Sequence, residues 1–245
     1  MPYNKSPNWL FIHIPKTAGG SIEKALGVDS EPHKEPNGIH KHLKGVSQKL
    51  KWKTQQLLLP SKNSQDNWKV DYLTGWYSYP LVLEHLTYRE IELLHLIPSN
   101  LLKSTFKFCV VRNPWQRAVS SFYSHNRYKH YQSFRDFCYE WFDIVKENTH
   151  RELAHDEIAH SRPQLDFIIN LKGENAMDYI LRFENLEQDF DILMKKLQLD
   201  NKHLPHIHKD AGSASLNYRD IYTDETKKKI QQLFECDIDY FKYSF

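Results

Sequence analysis

No stretch of the chain approaches twenty consecutive apolar residues, and the compact apolar run near its start spans only Trp9–Ile14. That run is far too short for a membrane span or a signal-peptide core. Cysteine is scarce: Cys109, Cys138 and Cys236 are odd in number and show no CxxC spacing. A disulfide framework is therefore not expected, and a reducing compartment suits these thiols best. Net charge is nearly absent, with 33 basic residues against 31 acidic ones for a formal +2. No whole-molecule field favours DNA, RNA or acidic lipid as a partner, so any anion site must be local. The expectation is a soluble, cytoplasmic protein without nucleic acid and without stable membrane insertion; a tether removed from the natural protein fits the same sequence. Internal repeats and low-complexity segments are also missing.

What is present suffices for a core: 245 residues, 40% hydrophobic and 13% aromatic. We read one domain over 1–245, with an insertion near 29–79 that carries short helices and belongs to an acceptor cleft. Trp9–Ile14 reads as a strand buried on both faces. A turn follows, and Ser21–Leu26 reads as a helix ending at Gly27. Thr87–Leu96 is an expected helix, Phe106–Val111 a second buried strand, and Trp115 to about Ser124 a helix with Pro114 in its first turn. Further helices are expected at Phe134–Val145, Glu187–Leu197 and Asp224–Glu235, with a third strand at Asp178–Phe183. Strands alternating with helices imply an α/β layer with a mainly parallel sheet.

The sharpest local signal is the turn Lys16, Thr17, Ala18, Gly19, Gly20, Ser21 between a strand and a helix. A helix N-terminus offers unpaired backbone N–H groups and the positive end of its dipole. Glycines let the backbone approach an anion closely. Lys16 adds a mobile charge, while Thr17 and Ser21 add hydroxyls. Only eight glycines occur in the chain, and two adjacent ones sit here. The pattern GxxxxGK[ST] is absent and the lysine precedes the glycines, which argues against a magnesium-dependent ATP or GTP hydrolase. The plain alternative is an ordinary strand–turn–helix corner with a solvated lysine.

A second segment, Cys109-Val-Val-Arg-Asn-Pro-Trp-Gln-Arg-Ala-Val-Ser120, places Arg112 at a strand end and Ser120 eight residues on, within the next helix. An arginine fork and a hydroxyl converging there can hold a phosphate dianion. A helix cap with surface arginines would explain the segment if it stood alone.

Together these segments resemble the carbohydrate sulfotransferases, in the branch near heparan sulfate 2-O-sulfotransferase and its bacterial relatives. His13-Ile-Pro-Lys-Thr-Ala-Gly-Gly-Ser21 resembles that family's 5′-phosphosulfate loop. Arg112, Pro114, Arg117, Ser120 and Tyr123 match its RxPxxRxxSxxY-like element for the donor's 3′-phosphate. Arg182–Leu186, Leu204–His206 and Asp237–Tyr243 are similar to later landmarks, with Arg182 and Glu184 expected to pair near a strand end. The resemblance implies a P-loop NTPase-like three-layer fold, its mainly parallel central sheet flanked by helices. It also implies 3′-phosphoadenosine 5′-phosphosulfate (PAPS) as co-substrate, its desulfated product PAP as ligand, and a saccharide or other hydroxyl compound as acceptor. No metal is expected. Lys209, Ser213 and Ser215 are further candidates to complete the nucleotide site.

Attack of a hydroxyl on sulfur needs a base, and imidazole titrates in the right range. His85, in Leu83-Glu-His-Leu-Thr-Tyr-Arg-Glu90, resembles the family's histidine and is the first candidate. Glu84 is the second, with His40 and His42 as rivals. Lys16 would stabilise the leaving phosphate oxygen. His13 reads as a satisfied core residue, Gln164 as an acceptor contact, and Lys227–Lys229 as a solvated helix face. Trp52, Trp68 and Trp76 suit sugar stacking or core packing equally. His203–His208 lacks the carboxylate or cysteine spacing of a metal site. A nucleotide-dependent phosphotransferase and a non-catalytic binding protein are the rival functions.

Overall fold

The computed structural model describes residues 3–5, 8–28, 85–124, 129–146, 159–199, 203–205 and 217–245. Glu84, His40, His42, Lys209, Ser213, Ser215, the three tryptophans of the insertion and the insertion itself lie outside them. The sheet has the order β1 (Tyr3–Lys5), β2 (Asn8–Ile12), β3 (Phe106–Val111), β4 (Tyr179–Arg182). β1, which sequence reading did not anticipate, runs antiparallel to β2; the pairs β2–β3 and β3–β4 are parallel. Ile12 lies opposite Cys109 and Val111 opposite Arg182, so all three parallel strands end at one edge. In open parallel sheets the ligand crevice lies at that carboxyl edge.

Strand alternation sorts the core onto both faces of the sheet. Trp9, Phe11, Phe108, Val110 and Leu181 pack with Ile22 and Leu26 of α1 (Gly19–Leu26) and with Phe190, Leu193, Met194 and Leu197 of α7 (Leu186–Leu197). Leu10, Ile12, Cys109 and Val111 pack the other way, against α2 (Tyr88–Leu93), α3 (Ser99–Ser104), α6 (Leu165–Ile168) and Phe241 of α9 (Glu235–Phe241). A strand buried on both faces needs a continuous apolar run, and helices on each side make the fold three-layered α/β. A second helical cluster joins α4 (Pro114–Tyr123), α5 (Phe134–Lys146) and α8 (Asp224–Leu233) through Trp115, Phe122, Phe137, Trp141, Ile230 and Phe234.

β3 has its expected bounds. β2 stops at Ile12 rather than Ile14 because the carbonyls of His13 and Ile14 accept from His85 and Thr17 side chains instead of a ladder. α1 begins at Gly19 instead of Ser21: Ala18 turns left-handed as the N-cap and admits both glycines to the helix. α2 starts at Tyr88 because Thr87 is its capping-box N-cap, and it ends early, at Leu93, with His95 left-handed at φ 49°. The expected helix at Asp224–Glu235 ends at Leu233, and beyond buried Phe234, whose φ and ψ are −114° and 29°, a further helix not anticipated runs over Glu235–Phe241. Cys109 and Cys138 are buried and Cys236 is exposed, all three as free thiols. Among the described residues, no helix is long and apolar enough to cross a membrane.

Candidate active site

The loop leaving β2 is short and conformationally costly. Lys16 and Ala18 both have left-handed backbones, with φ of 66° and 73°. Non-glycine residues in that region store roughly 1–3 kcal/mol each, and such strain collects at functional sites. Gly19 and Gly20 are helical, and neither has positive φ. What Gly19 supplies is room. A Cβ there would lie 1.9 Å from Nε2 of His13.

Four successive carbonyls of this loop are each held by a different side chain. His85 Nδ1 donates to His13 O at 3.1 Å, and Thr17 Oγ1 to Ile14 O at 2.9 Å. Arg117 Nε donates to Pro15 O at 3.1 Å, and Arg112 Nη1 to Lys16 O at 3.1 Å. An anion cradle needs its carbonyl oxygens occupied elsewhere so that its N–H groups can face the anion. Helix α1 then opens with Ala18 at the N-cap and no side-chain cap bond, and its first turn holds no acid. Helices α2, α4 and α8 do receive side-chain caps, from Thr87, Asn113 and Thr223. α3, α6, α7 and α9 likewise lack a side-chain cap bond, so α1 is set apart by the strained loop that leads into it, whose carbonyls are all held by side chains.

Thr17 is buried and its hydroxyl proton is committed to Ile14 O, so its side chain shapes the loop. Ala18, Gly20, Ser21 and Lys16 are half-buried.

Arg112 follows β3 directly. Its guanidinium lies 3.9 Å from the centroid of the Phe183 ring, and its Nε donates to Gln116 Oε1 at 3.2 Å. Asn113 caps α4 with its side-chain oxygen on Trp115 N and Gln116 N, and Pro114 occupies the first turn. Ser120 is buried two turns along the same helix. Arg117, wholly buried between them, reaches Pro15 O and also donates to His160 O and Arg162 O at 3.1 and 2.9 Å. Burial pushes its guanidinium down to about 10, against the attraction of Asp237.

His85 lies just ahead of the capping box Thr87–Glu90, which fixes the start of α2. Glu90 also accepts from Arg162 Nη1 at 3.3 Å. The His85 ring meets that of His13 edge-on at 4.7 Å and that of His160 edge-on at 5.5 Å. A carbonyl only accepts, so His85 Nδ1 carries the proton in its bond to His13 O. In the neutral ring the basic lone pair is then on Nε2. Arg112 and His85, from two distant parts of the chain, thus both bond the backbone of the loop that carries Lys16.

Sequence reasoning missed His160, and it gave Arg117 no task beyond its motif. His13 is indeed satisfied, its Nδ1 donating to Glu23 Oε1 at 2.8 Å with both residues buried. Glu23 was legible in principle: the buried stripe of α1 is Gly19, Ile22, Glu23, Leu26, and a carboxylate in such a stripe requires a partner.

Three lesser expectations change. Gln164 is fully buried, its amide clamping Arg112 N and Arg112 O at 2.8 Å each, so it positions a strand end instead of facing an acceptor. Arg182 and Glu184 do not pair with each other; Arg182 donates to Phe241 O, and Glu184 accepts from Asn113 N and Tyr243 Oη. Lys227 and Lys229 are not merely solvated, since their ammonium groups cap the rings of Phe245 and Phe142 at 4.3 and 3.5 Å. Among the described residues, no group of three or more His, Cys, Asp or Glu side chains could hold a metal ion.

Comparison with known proteins gives one match. Residues 82–244 fit the model of the sulfotransferase family, a span that contains His85, Arg112 and Ser120 and starts after the Lys16–Ser21 loop. Neither the curated proteins nor the solved structures gave a match.

Proposed function

We propose, from the premise that the chain belongs to the sulfotransferase family, that it moves a sulfuryl group from PAPS to a hydroxyl of an acceptor, a saccharide by preference. In this reading residues 1–245 form one domain and 29–79 contribute to the acceptor cleft. The observation that carries the donor assignment is the loop itself: an uncapped helix start beside Lys16, with its preceding carbonyls all engaged by side chains.

Lys16, Gly19, Gly20 and Ser21, with the backbone of Thr17 and Ala18, would act as the counterpart of a P-loop for the phosphosulfate. Arg112 and Ser120 would take the 3′-phosphate, a dianion suited to a guanidinium fork and a hydroxyl. His85 Nε2 would remove the acceptor's proton as the acceptor oxygen bonds to sulfur and the bond from sulfur to the 5′-phosphate oxygen breaks. The departing oxygen keeps the electron pair, and the Lys16 ammonium offsets its charge. The acceptor gains the sulfuryl group and PAP leaves. Glu84 is the second candidate for the base.

Two measurements test this. PAP should raise the unfolding temperature more than ADP at equal concentration, because only PAP carries the 3′-phosphate. Equal or greater stabilisation by ADP would favour a phosphotransferase and overturn the donor assignment. His85→Ala should keep PAP affinity and lose on the order of 10²–10⁴ in transfer rate, the usual contribution of a general base. Transfer at the parent rate would remove His85 from the role.

A further inference from the structure

His13 is the first residue beyond β2, and its ring is held on three sides. It stacks on Phe11, with centroids 5.6 Å apart and planes 23° from parallel. Its Nε2 edge occupies the space where a side chain at Gly19 would stand. Its Nδ1 donates to Glu23 Oε1 at 2.8 Å, and residue exposures of 6% and 4% leave little water to share the bond. Burying an acid and an imidazole together is no better for stability than burying two apolar groups of that size. What the pair supplies is a fixed geometry.

That geometry reaches His85. The carbonyl of His13 receives His85 Nδ1–H at 3.1 Å, and the two rings meet at 81°. The His85 ring is thus seated against the His13 ring as well as bonded to its carbonyl; with the His13 ring released, His85 loses that wall and the strand end bearing its acceptor is no longer braced. Glu23 lies on the helix that the loop opens, and His13 on the strand end where the loop begins. The pair therefore spans the loop and ties its two ends to the orientation of His85.

We propose that Glu23 is a positioning residue for the general base: its carboxylate fixes His13, whose carbonyl in turn holds His85 with the proton on Nδ1 and the lone pair on Nε2. The inference rests on the reading of His85 as base.

The test uses the full chain with Glu23→Leu and Glu23→Gln, each assayed for kcat, for PAP affinity by calorimetry, and for ring tautomers by long-range ¹⁵N–¹H spectra. Glu23→Leu should lower kcat by about 10–100-fold, the usual scale for a residue that orients a functional imidazole. Its PAP affinity should change by less than about threefold, so that the loss falls on kcat instead of binding. Its spectra should show the His85 Nδ1–H form giving way to the other tautomer. Glu23→Gln, whose amide oxygen still accepts from His13, should recover both kcat and the tautomer. Unchanged kcat with an unchanged His85 tautomer in Glu23→Leu would overturn the proposal. So would a loss of PAP affinity that matches the loss of kcat, which would make Glu23 a prop for the loop alone. Failure of the base assignment is read separately: turnover surviving in His85→Ala sinks that reading, while the tautomer spectra still report whether Glu23 governs His85.

Discussion

The guanidinium of Arg112 donates from Nη1 to the carbonyl oxygen of Lys16 at 3.1 Å, across 96 residues of sequence. This bond joins the turn after β2 to the end of β3, so the two anion motifs form one structure before any ligand arrives. Phe183, the residue after β4, lies against the same guanidinium, its ring centroid 3.9 Å from Cζ. All three parallel strands thus contribute at their carboxyl ends.

Replacing Arg112 distinguishes grip from support. Arg112→Lys keeps a charge but cannot hold Lys16 O, Gln116 and the Phe183 ring with a planar fork. A lost hydrogen bond to a charged group costs about 1.5–3 kcal/mol, or roughly 10–100-fold in affinity. We expect PAP to weaken by that factor, while adenosine 5′-monophosphate weakens by less than about threefold. Calorimetric titration of both nucleotides checks it. If both weaken equally, Arg112 only supports the loop and does not grip the 3′-phosphate.

Lys16 should act on turnover more than on binding. Charge develops on the leaving oxygen only as the reaction proceeds, so a cation placed there stabilises the transition state. Lys16→Met is expected to lower kcat by on the order of 10²–10³. Its apparent donor KM should rise far less. A change confined to KM would move Lys16 from the reaction to simple ground-state binding.

Gly19 is required by His13 and not by its own backbone angles. The nearest atoms to an added Cβ are ring atoms at 1.9, 2.1 and 2.5 Å, and the ring is pinned by Glu23. Gly19→Ala should destabilise the protein by about 1–3 kcal/mol, the range for overpacking. His13→Ala removes the obstacle, so Gly19→Ala made in that background should cost less than about 0.5 kcal/mol. Urea midpoints of the four-member cycle provide the test; full additivity would refute the clash.

Much of this architecture was legible from apolar runs alone. Phe106–Val111 is buried almost throughout, Lys107 included, and its aromatic and β-branched residues, cut short by Arg112-Asn-Pro, favour a strand. The helix starts were legible where a side-chain cap exists, as at Asn113 with Pro114 after it. The start of α1 was not, because Ala18 carries no capping oxygen and reaches its position through a left-handed backbone. Arg112 and Lys16 could be nominated by type and spacing, but their mutual bond belongs to the register of β2 against β3. The pair His13–Glu23 hides for a similar reason: a histidine ending a strand and an acid in a short helix look unrelated until the turn brings them together. Gln164 was misassigned because a buried amide and an acceptor-facing amide are indistinguishable without neighbours.

The most remote control on the site starts at Asp237 in α9. Fully buried, it accepts from Gln164 N and Leu165 N at 2.8 Å each, and Gln164 in turn clamps the backbone of Arg112. Burial pushes its carboxyl up from an ordinary 3.8 to about 6, although Arg117 and the bonds from Gln164 and Leu165 pull the other way. A folded-state value above the unfolded one means that folding takes up a proton between those limits. The resulting stabilisation is complete below pH 3.8 and fades as pH rises through about 6. Asp237→Asn has no such proton to lose, so parent stability minus variant stability should fall between pH 4 and 6 and level off above. The slope cannot exceed about 1.4 kcal/mol per pH unit, the value of a single proton. Lost hydrogen bonds in the variant shift the whole curve without tilting it, which is why the slope and not the offset carries the test. Urea unfolding at half-unit pH steps would measure it. A difference that rises with pH would mean that Arg117 and the backbone donors outweigh burial, and that Asp237 stabilises the fold as an anion.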